Sequence, residues 1–219
     1  MELIDYLHTH FLTRAQLLAA CATDDARLDA FTAAGTMPAP SYRVRVRIGC
    51  TSFFGPHEED HAIDWHARGN TEWLRMLLEG AEDPYARFAA RYRAALETLG
   101  LYRAAPMPAL MADAHVREEW GHFIAGTYGL CTRTGLPEDI AAKELAIRVI
   151  RLLTDDGRPL DGTERARLAA AIDLLDRASS PFAPHERARS SRGRYVDALP
   201  AIRPQIIRGT CHERARRFV

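Results

Sequence analysis

The sequence contains almost no lysine. Of its 29 basic residues, 28 are arginine, and Lys143 is the single lysine. It also lacks the Gly-Lys-Ser/Thr phosphate loop, the Gly-x-Gly-x-x-Gly fingerprint and the Gly-x-Ser-x-Gly elbow, so the sequence does not indicate P-loop, Rossmann-type dinucleotide or α/β-hydrolase chemistry. A Schiff-base lysine is limited to Lys143, which by its pattern lies in the middle of a helix and is expected to face solvent.

Cysteines and long apolar runs are also scarce. The four cysteines, at positions 21, 50, 131 and 211, form no Cys-x-x-Cys pair, which predicts reduced thiols and no thiolate zinc site. No apolar run reaches the roughly 18 residues that a membrane span needs. The first five residues, MELID, lack the basic start of a signal peptide. We therefore expect a cytoplasmic protein that has no membrane partner.

The charge of the 219-residue chain is balanced overall but not along its length. The 29 basic residues equal the 29 acidic residues in number, so no nucleic-acid partner is expected. Residues 181–219, however, contain nine arginines and three acids, and residues 1–180 carry the compensating negative surplus. The sequence predicts a basic tail that either packs on an acidic body, or binds an anion or an acidic partner.

The periodicity of apolar residues predicts a mainly α fold, a helical bundle with a small β element and an N-terminal helix-turn-helix-like module. Thr13 and Asp24 are expected to cap two of the first three helices. This start is similar to that of MerR-type regulators, but the would-be recognition helix, the third helix with its cap, carries three aspartates against one arginine, which disfavours DNA binding. The predicted helices cover residues 2–10, 14–21, 25–34, 57–67, 70–80, 84–99, 113–126, 137–154 and 163–178.

One strand is predicted, over residues 41–48, because apolar residues alternate there with Arg43, Arg45 and Arg47. It needs a partner strand, from a short hairpin or a neighbouring chain, and no second strand of equal quality is evident. A proline-containing connector over residues 103–109 divides the chain into two predicted parts. These are residues 1–105, an N-terminal helical module with the β element and further helices, and residues 106–219, a C-terminal helical half with the arginine-rich tail.

The segment from His57 to His61 reads His-Glu-Glu-Asp-His. On a helix, His57 and His61 would share one face and could bind zinc, with Glu58 polarising a bound water. Zinc proteases have uncharged residues at the two middle positions of this motif, whereas this segment has Glu59 and Asp60 and would lie in the first turn of its helix. A zinc site formed by His57, Glu58 and His61 is therefore the alternative, and no metal or other cofactor is the leading expectation.

A second group lies on the predicted helix over residues 113–126. His115, Glu118, Glu119 and His122 are spaced by three, four and seven positions, which places them on one stripe. Carboxylates beside imidazoles suit general acid/base catalysis, and a solvent-facing charged stripe is the alternative. The Glu-x-x-His pairs that end at His61 and His122 also allow a di-metal site.

The start of the tail, residues 181–195, is rich in arginine without being an amphipathic helix. Guanidinium and hydroxyl groups are suitable donors for a sulfate, phosphate or carboxylate, and the alternative is an exposed basic loop. The candidate anion-binding residues are His185, Arg187, Arg189, Ser191, Arg192 and Arg194.

Several stretches together resemble a bacterial family of unknown function known as natural product biosynthesis proteins. These stretches are residues 11–17, 40–44 (PSYRV), 52–55 (SFFG), 143–148 (KELAIR), 182–187 (FAPHER) and 190–192 (SSR). The resemblance implies a place in secondary metabolism, near two-subunit enzymes that close a strained nitrogen ring on an amino acid. In those enzymes an acidic carrier protein holds the substrate and a sulfate leaves.

The leading expectation is thus a natural product enzyme or enzyme subunit that carries out cofactor-independent, aziridine-type ring closure with loss of an anion. Such a reaction needs a base, donors for the leaving anion and enforced geometry. The expected partners are a small anionic amino-acid-like substrate, an acidic carrier protein and a second subunit. The alternatives are a zinc-dependent hydrolase, a non-catalytic partner protein and a helix-turn-helix-like regulator.

Overall fold

The computed structural model describes residues 2–99 and 107–198, and these residues form a mainly α structure with one small antiparallel sheet. The helices are α1 (Leu3–His10), α2 (Arg14–Cys21), α3 (Asp25–Ala33), α4 (Asn70–Leu78), α5 (Pro84–Thr98), α6 (Met107–Met111), α7 (Asp113–Ile124), α8 (Thr127–Cys131), α9 (Pro137–Thr154), α10 (Gly162–Ala178) and α11 (Pro184–Arg187), followed by a π-helical turn (Gly193–Asp197). The strands are β1 (Phe11–Thr13), β2 (Tyr42–Ser52) and β3 (Gly55–Ala67).

The N-terminal helices begin where their capping residues predict. Thr13 and Gln16 form a capping box at the start of α2, and the Asp24 carboxylate accepts a hydrogen bond from the amide of Arg27 at the start of α3. Gly35 follows α3 with φ of 65°, a conformation that glycine adopts without the steric cost of a Cβ. These local signals place α2 and α3 correctly.

The sheet is larger than the sequence predicts. Its order is β1-β3-β2, and all its strands are antiparallel. β2 extends to Ser52, and β3 occupies residues 55–67, so the predicted helix over residues 57–67 is wrong. The helix was predicted because acids that follow a proline are common in the first turn of a helix. In the structure the acids of β3 lie across from β2, where Asp64 pairs with Arg43 and Asp60 with Arg47.

The main core is built around α9, which begins and ends at the predicted residues and packs against α5 and α10. The residues of this core extend from Leu17 of α2 to Ala178 of α10, so side chains from both predicted parts of the chain contribute to it. The predicted division at 105/106 falls at residues 100–106, outside the described residues, and stays a prediction. Among the described residues, no helix is long and apolar enough to cross a membrane.

A second, smaller core joins the base of the sheet to the C-terminal segment. It contains Tyr6 and Phe11 near the N-terminus, Trp65 of β3 and Ala183 just before α11. The hydroxyl of Tyr42 also donates a 2.6 Å hydrogen bond to Glu186. These contacts hold the residues around position 180 against α1.

Candidate anion-binding site

The six predicted anion-binding residues of the tail do not gather at one point. Arg187 forms two hydrogen bonds with Asp197, of 2.8 and 2.9 Å, and Arg192 pairs with Asp176. Arg189 and Arg194 are exposed. The remaining two are His185, which lies 3.7 Å from Glu186, and Ser191, whose buried hydroxyl has no hydrogen-bond partner among the described residues.

Arg192 nevertheless lines a cavity of about 250 Å³ where α1, the end of β3, α8 and the segment after α10 meet. Among the described residues, three arginines and no carboxylate line this cavity. Its lining residues are Tyr6, His10, Phe11, Ala67, Arg68, Gly129, Thr132, Arg133, Ser179, Ser180, Pro181 and Arg192. We call this cavity the arginine pocket.

Backbone carbonyls orient the three guanidinium groups. Arg68 donates to the carbonyl of Thr9 (2.9 Å), Arg133 to that of Arg177 (2.6 Å), and Arg192 to that of Asp176 (3.1 Å). A guanidinium has five N–H donors, and the Nε of Arg192 is buried without a partner among the described residues. Each arginine is thus held in place and keeps donors for a ligand.

Hydroxyl groups line the pocket beside the arginines. Ser179 is almost fully buried and its hydroxyl has no hydrogen-bond partner among the described residues. An isolated β-bridge joins Ser179 to Thr132, while the hydroxyl of Ser180 donates 2.7 Å to the carbonyl of Leu130. Because an unpaired buried hydroxyl is costly, a ligand that reached the Ser179 hydroxyl from the pocket would satisfy it.

Two titratable groups of α1 complete the wall. Burial, together with the nearby charge of Arg68, lowers the pKa of His10 below its usual 6.5. Burial also raises the pKa of Tyr6. At neutral pH His10 is therefore mostly an uncharged imidazole that can accept a proton, and Tyr6 keeps its proton.

The predicted acid/base stripe on α7 is divided by the fold. Glu119 is buried and accepts a hydrogen bond from the hydroxyl of Tyr128. The Nε2 of His115 lies 3.6 Å from Glu119, whereas Glu118 and His122 are exposed. The structure thus brings together two of the four predicted residues.

Burial dominates the protonation of this pair. It raises the pKa of Glu119 to about 8, with a further contribution from the negative charges of Glu144 and Glu118. Burial also lowers the pKa of His115. At neutral pH the pair is therefore mostly a protonated carboxyl beside a neutral imidazole, which could exchange a proton but does not form an ion pair.

Lys143 is buried, so the expectation that it faces solvent is wrong. Its ammonium lies 5.9 Å from the centre of the Phe182 ring. Burial raises the pKa of the nearby Cys131 thiol, and the charge of Lys143 partly offsets this increase. The apolar periodicity of α9 does not indicate that Lys143 lies on its buried side. That placement depends on the packing of α9 against the residues around positions 131 and 182.

The proposed zinc ligands lie on β3 and are exposed. Along a strand, residues four apart are about 13 Å apart, so His57 and His61 lose the helical geometry on which the zinc hypothesis rested. Glu59 lies between them instead, 3.5 Å from His57 and 2.9 Å from His61. Residues 2–99 and 107–198 contain no group of three potential metal ligands.

Sequence reasoning missed most of the arginine pocket. It named Arg192 but not His10, Arg68, Arg133 or Ser179, which come from four separate segments. Arg68 and Arg133 each directly follow a buried residue, Ala67 and Thr132, but no pattern in the sequence indicates that these positions meet.

Neither a curated protein nor a solved structure matches the chain. Residues 84–202 match a family described as "Family of unknown function (DUF6058)". The match begins at α5 and extends beyond Arg192, so it includes Arg133, Ser179 and Ser180 of the arginine pocket but not its α1 wall. As this match covers more than half of the sequence, the chain belongs to that uncharacterised family.

Proposed function

We propose that the protein binds a small anionic molecule in the arginine pocket through a sulfate, phosphate or carboxylate group. The observation that carries this proposal is the joint presence of three oriented arginines and of Ser179, whose hydroxyl is unpaired, around a cavity that no carboxylate of the described residues lines. Charge-assisted N–H donors are strong ligands for such oxygens.

The volume of the pocket limits the size of the ligand. Sites for drug-sized ligands are usually about 300–1,000 Å³, so a cavity of about 250 Å³ suits a smaller molecule. An amino acid that carries one additional anionic group fits this size and charge.

Calorimetric titration with sodium sulfate at constant ionic strength tests the binding proposal. Arg68→Gln, Arg133→Gln and Arg192→Gln should each weaken sulfate binding about tenfold or more, because each removes charge-assisted donors. Arg194→Gln is the matched control, since Arg194 is exposed and does not line the pocket. Equal affinity in all four variants, or no sulfate binding by the unchanged protein, would contradict the proposal. Because Arg192 also pairs with Asp176, the variants at Arg68 and Arg133 keep the test valid if Arg192→Gln unfolds.

We further propose that the ligand is the substrate of a natural product biosynthesis enzyme that closes an aziridine-type ring. In this reaction the substrate amine forms a C–N bond as the C–O bond to sulfate breaks, and a base takes the amine proton. The arginine pocket suits the departing sulfate, and the uncharged imidazole of His10 is the base that the pocket itself offers. The resemblance described above supports the ring closure, and the charge of the pocket supports the loss of an anion.

Release of inorganic sulfate from a vicinal amino-sulfate amino acid, measured by ion chromatography, tests this chemistry. The protein should accelerate release, and His10→Gln should slow it while leaving sulfate affinity nearly unchanged. Release at the uncatalysed rate would contradict the ring closure without contradicting anion binding.

The partners are part of the same proposal. Arg189 and Arg194 are exposed close to Arg192 in the chain, and they suit docking of an acidic carrier protein beside a second subunit.

A regulator built on α2 and α3 is a second candidate function, since the capped helices have the expected order. However, Arg14 is bound by Asp25 and Asp29, which leaves little positive charge for DNA. A band shift with duplex DNA at physiological salt distinguishes this regulator from the natural product enzyme.

A further inference from the structure

The hairpin of β2 and β3 projects from the fold as an arm. Every residue from Arg47 to Ala62 is exposed, apart from Gly55 at the start of β3. Phe53 and Phe54 at the tip are 96% and 95% exposed. An isolated two-stranded hairpin is marginally stable in water, and exposed phenyl rings favour contact with another surface. The arm therefore has the properties of an interaction surface.

The apolar side chains of the arm lie along β2, on one face. Val44, Val46, Ile48 and Cys50 form a row, and their cross-strand neighbours on β3 are mostly polar. The row therefore stands on one face of the arm, beside the mostly polar side chains of β3. A strand added to the free edge of β2 would extend this row on the same face.

Among the described residues, nothing pairs with the outer edge of β2. In the order β1-β3-β2, strand β2 is terminal, and no described segment other than β3 forms a backbone hydrogen bond with residues 42–52. Long, regular edge strands without proline readily pair with another strand. β2 is such a strand, with 11 residues and no proline or bulge in its register with β3.

We propose that the occupant of this edge is a second copy of the chain, with β2 of each copy paired antiparallel about a two-fold axis. This pairing joins two apolar rows at the centre of a continuous sheet and places the polar β3 strands outside. A C2 contact of this kind uses the same surface on both copies. The proposal is independent of the arginine pocket.

The charges and the apolar row of β2 together select the register. With the axis at Val46, Arg45 of one copy would face Arg47 of the other, which is unfavourable. With the axis at Ile48, Arg47 faces Gly49 and Arg45 faces Thr51, while Val46 faces Cys50. Axes at Gly49 or Cys50 also keep the arginines apart, but they pair Val46 with Ser52 or Phe54 instead of with the apolar row. We therefore assign the axis to Ile48.

This register also places an exposed phenyl ring of each tip against the other copy. Phe53 of one copy comes level with Arg43 of the other, at the base of the arm. Arg43 lines a cavity of about 550 Å³ together with Thr13, Ala62 and Ile63. The tip of each arm thus reaches a recess on the other copy.

Analytical ultracentrifugation across a concentration series tests the pairing. The unchanged protein should form dimers, and Val46→Lys should weaken dimerisation at least tenfold by placing a charge in the apolar row. His61→Lys is the matched control, because His61 is the cross-strand neighbour of Val46 on β3 and lies away from the edge. A monomer at all concentrations, or equal weakening by both variants, would overturn the proposal.

Cross-linking tests the register. In a Cys50→Ser, Cys211→Ser background, Ile48→Cys should be joined to its copy by a short bismaleimide. Glu59→Cys should not, because Glu59 faces Ile48 on β3 and two copies of it would be about three strand spacings, or 14 Å, apart. Cross-linking at Glu59 but not at Ile48 would overturn the assignment. Protection of the β2 amides from hydrogen exchange should increase with protein concentration, and protection that is independent of concentration would place another segment on this edge and contradict the pairing.

Discussion

Replacing Glu119 by glutamine should make the protein more stable at slightly alkaline pH. The carboxyl of Glu119 is buried, accepts a hydrogen bond from Tyr128 and has a pKa raised to about 8. In the unfolded chain the pKa returns to its usual 4.5. Between these values the folded state binds more protons than the unfolded state, so the free energy of unfolding decreases as pH rises. Glutamine keeps an acceptor for Tyr128 and cannot ionise.

The magnitude follows from the two pKa values. Between pH 6.5 and 8 the contribution of Glu119 to the free energy of unfolding should decrease by about 1.5 kcal/mol, at about 1.36 kcal/mol per pKa unit. Below pH 6.5 the lowered pKa values of His66 and His115 act in the opposite direction, so the slightly alkaline window isolates the carboxyl. Among its neighbours, Arg148 and Lys143 lower the pKa of Glu119, but less than burial raises it.

Urea titrations of the unchanged protein and of Glu119→Gln at several pH values between 6.5 and 8 measure this difference. The advantage of the variant should grow with pH. Glu118→Gln is the matched control, because it removes the same charge from an exposed neighbour and should show a much smaller trend. A difference between Glu119→Gln and the unchanged protein that stays constant across the window would refute the assignment of a protonated, buried carboxyl.

Two further predictions concern stability. Burial lowers the pKa of His66 to about 4, against 6.5 in the unfolded chain. The free energy of unfolding should therefore fall by about 3 kcal/mol as pH decreases from 6.5 to 4. His66→Leu should remove this loss in urea titrations, and an unchanged dependence on acid pH in the variant would contradict the prediction. A Cβ at Gly126, where φ is 78°, would lie 2.5 Å from the carbonyl oxygen of Ala39, so Gly126→Ala should cost about 3 kcal/mol or more. Gly80→Ala, at φ of 88° with open space around it, should cost about 1–2 kcal/mol, and equal costs would show that the close approach to Ala39 is absent.

The elements that could be predicted from the sequence are those with local signals. The capping residues Thr13 and Asp24 and the apolar periodicity of α9 fix these helices within the segment itself. β3 has no such signal, since its residues 57–61 are charged or imidazole-bearing and poorly suited to a strand alone. Its conformation depends on β2, which supplies the backbone partners and the arginines that face its aspartates.

The candidate site was predictable only in part for the same reason. Arg192 could be found because the tail is visibly basic. No local sequence pattern indicates His10, Arg68 or Arg133 as site residues. They line one cavity because α1 packs against the segment around Ser180. Similarly, Glu119 could be named as an acid/base residue, but its separation from Glu118 and His122 depends on which side of α7 faces the core.

The central claim is that the arginine pocket binds a small anion. Diffraction from a crystal grown or soaked in sodium selenate, measured at the selenium edge, tests it most directly, since selenate has the shape and charge of sulfate. An anomalous peak within hydrogen-bond distance of Arg68, Arg133 and Arg192 and of the Ser179 hydroxyl is the predicted result. Selenate found only at exposed arginines such as Arg189 and Arg194, with the pocket empty at the same concentration, would contradict the claim.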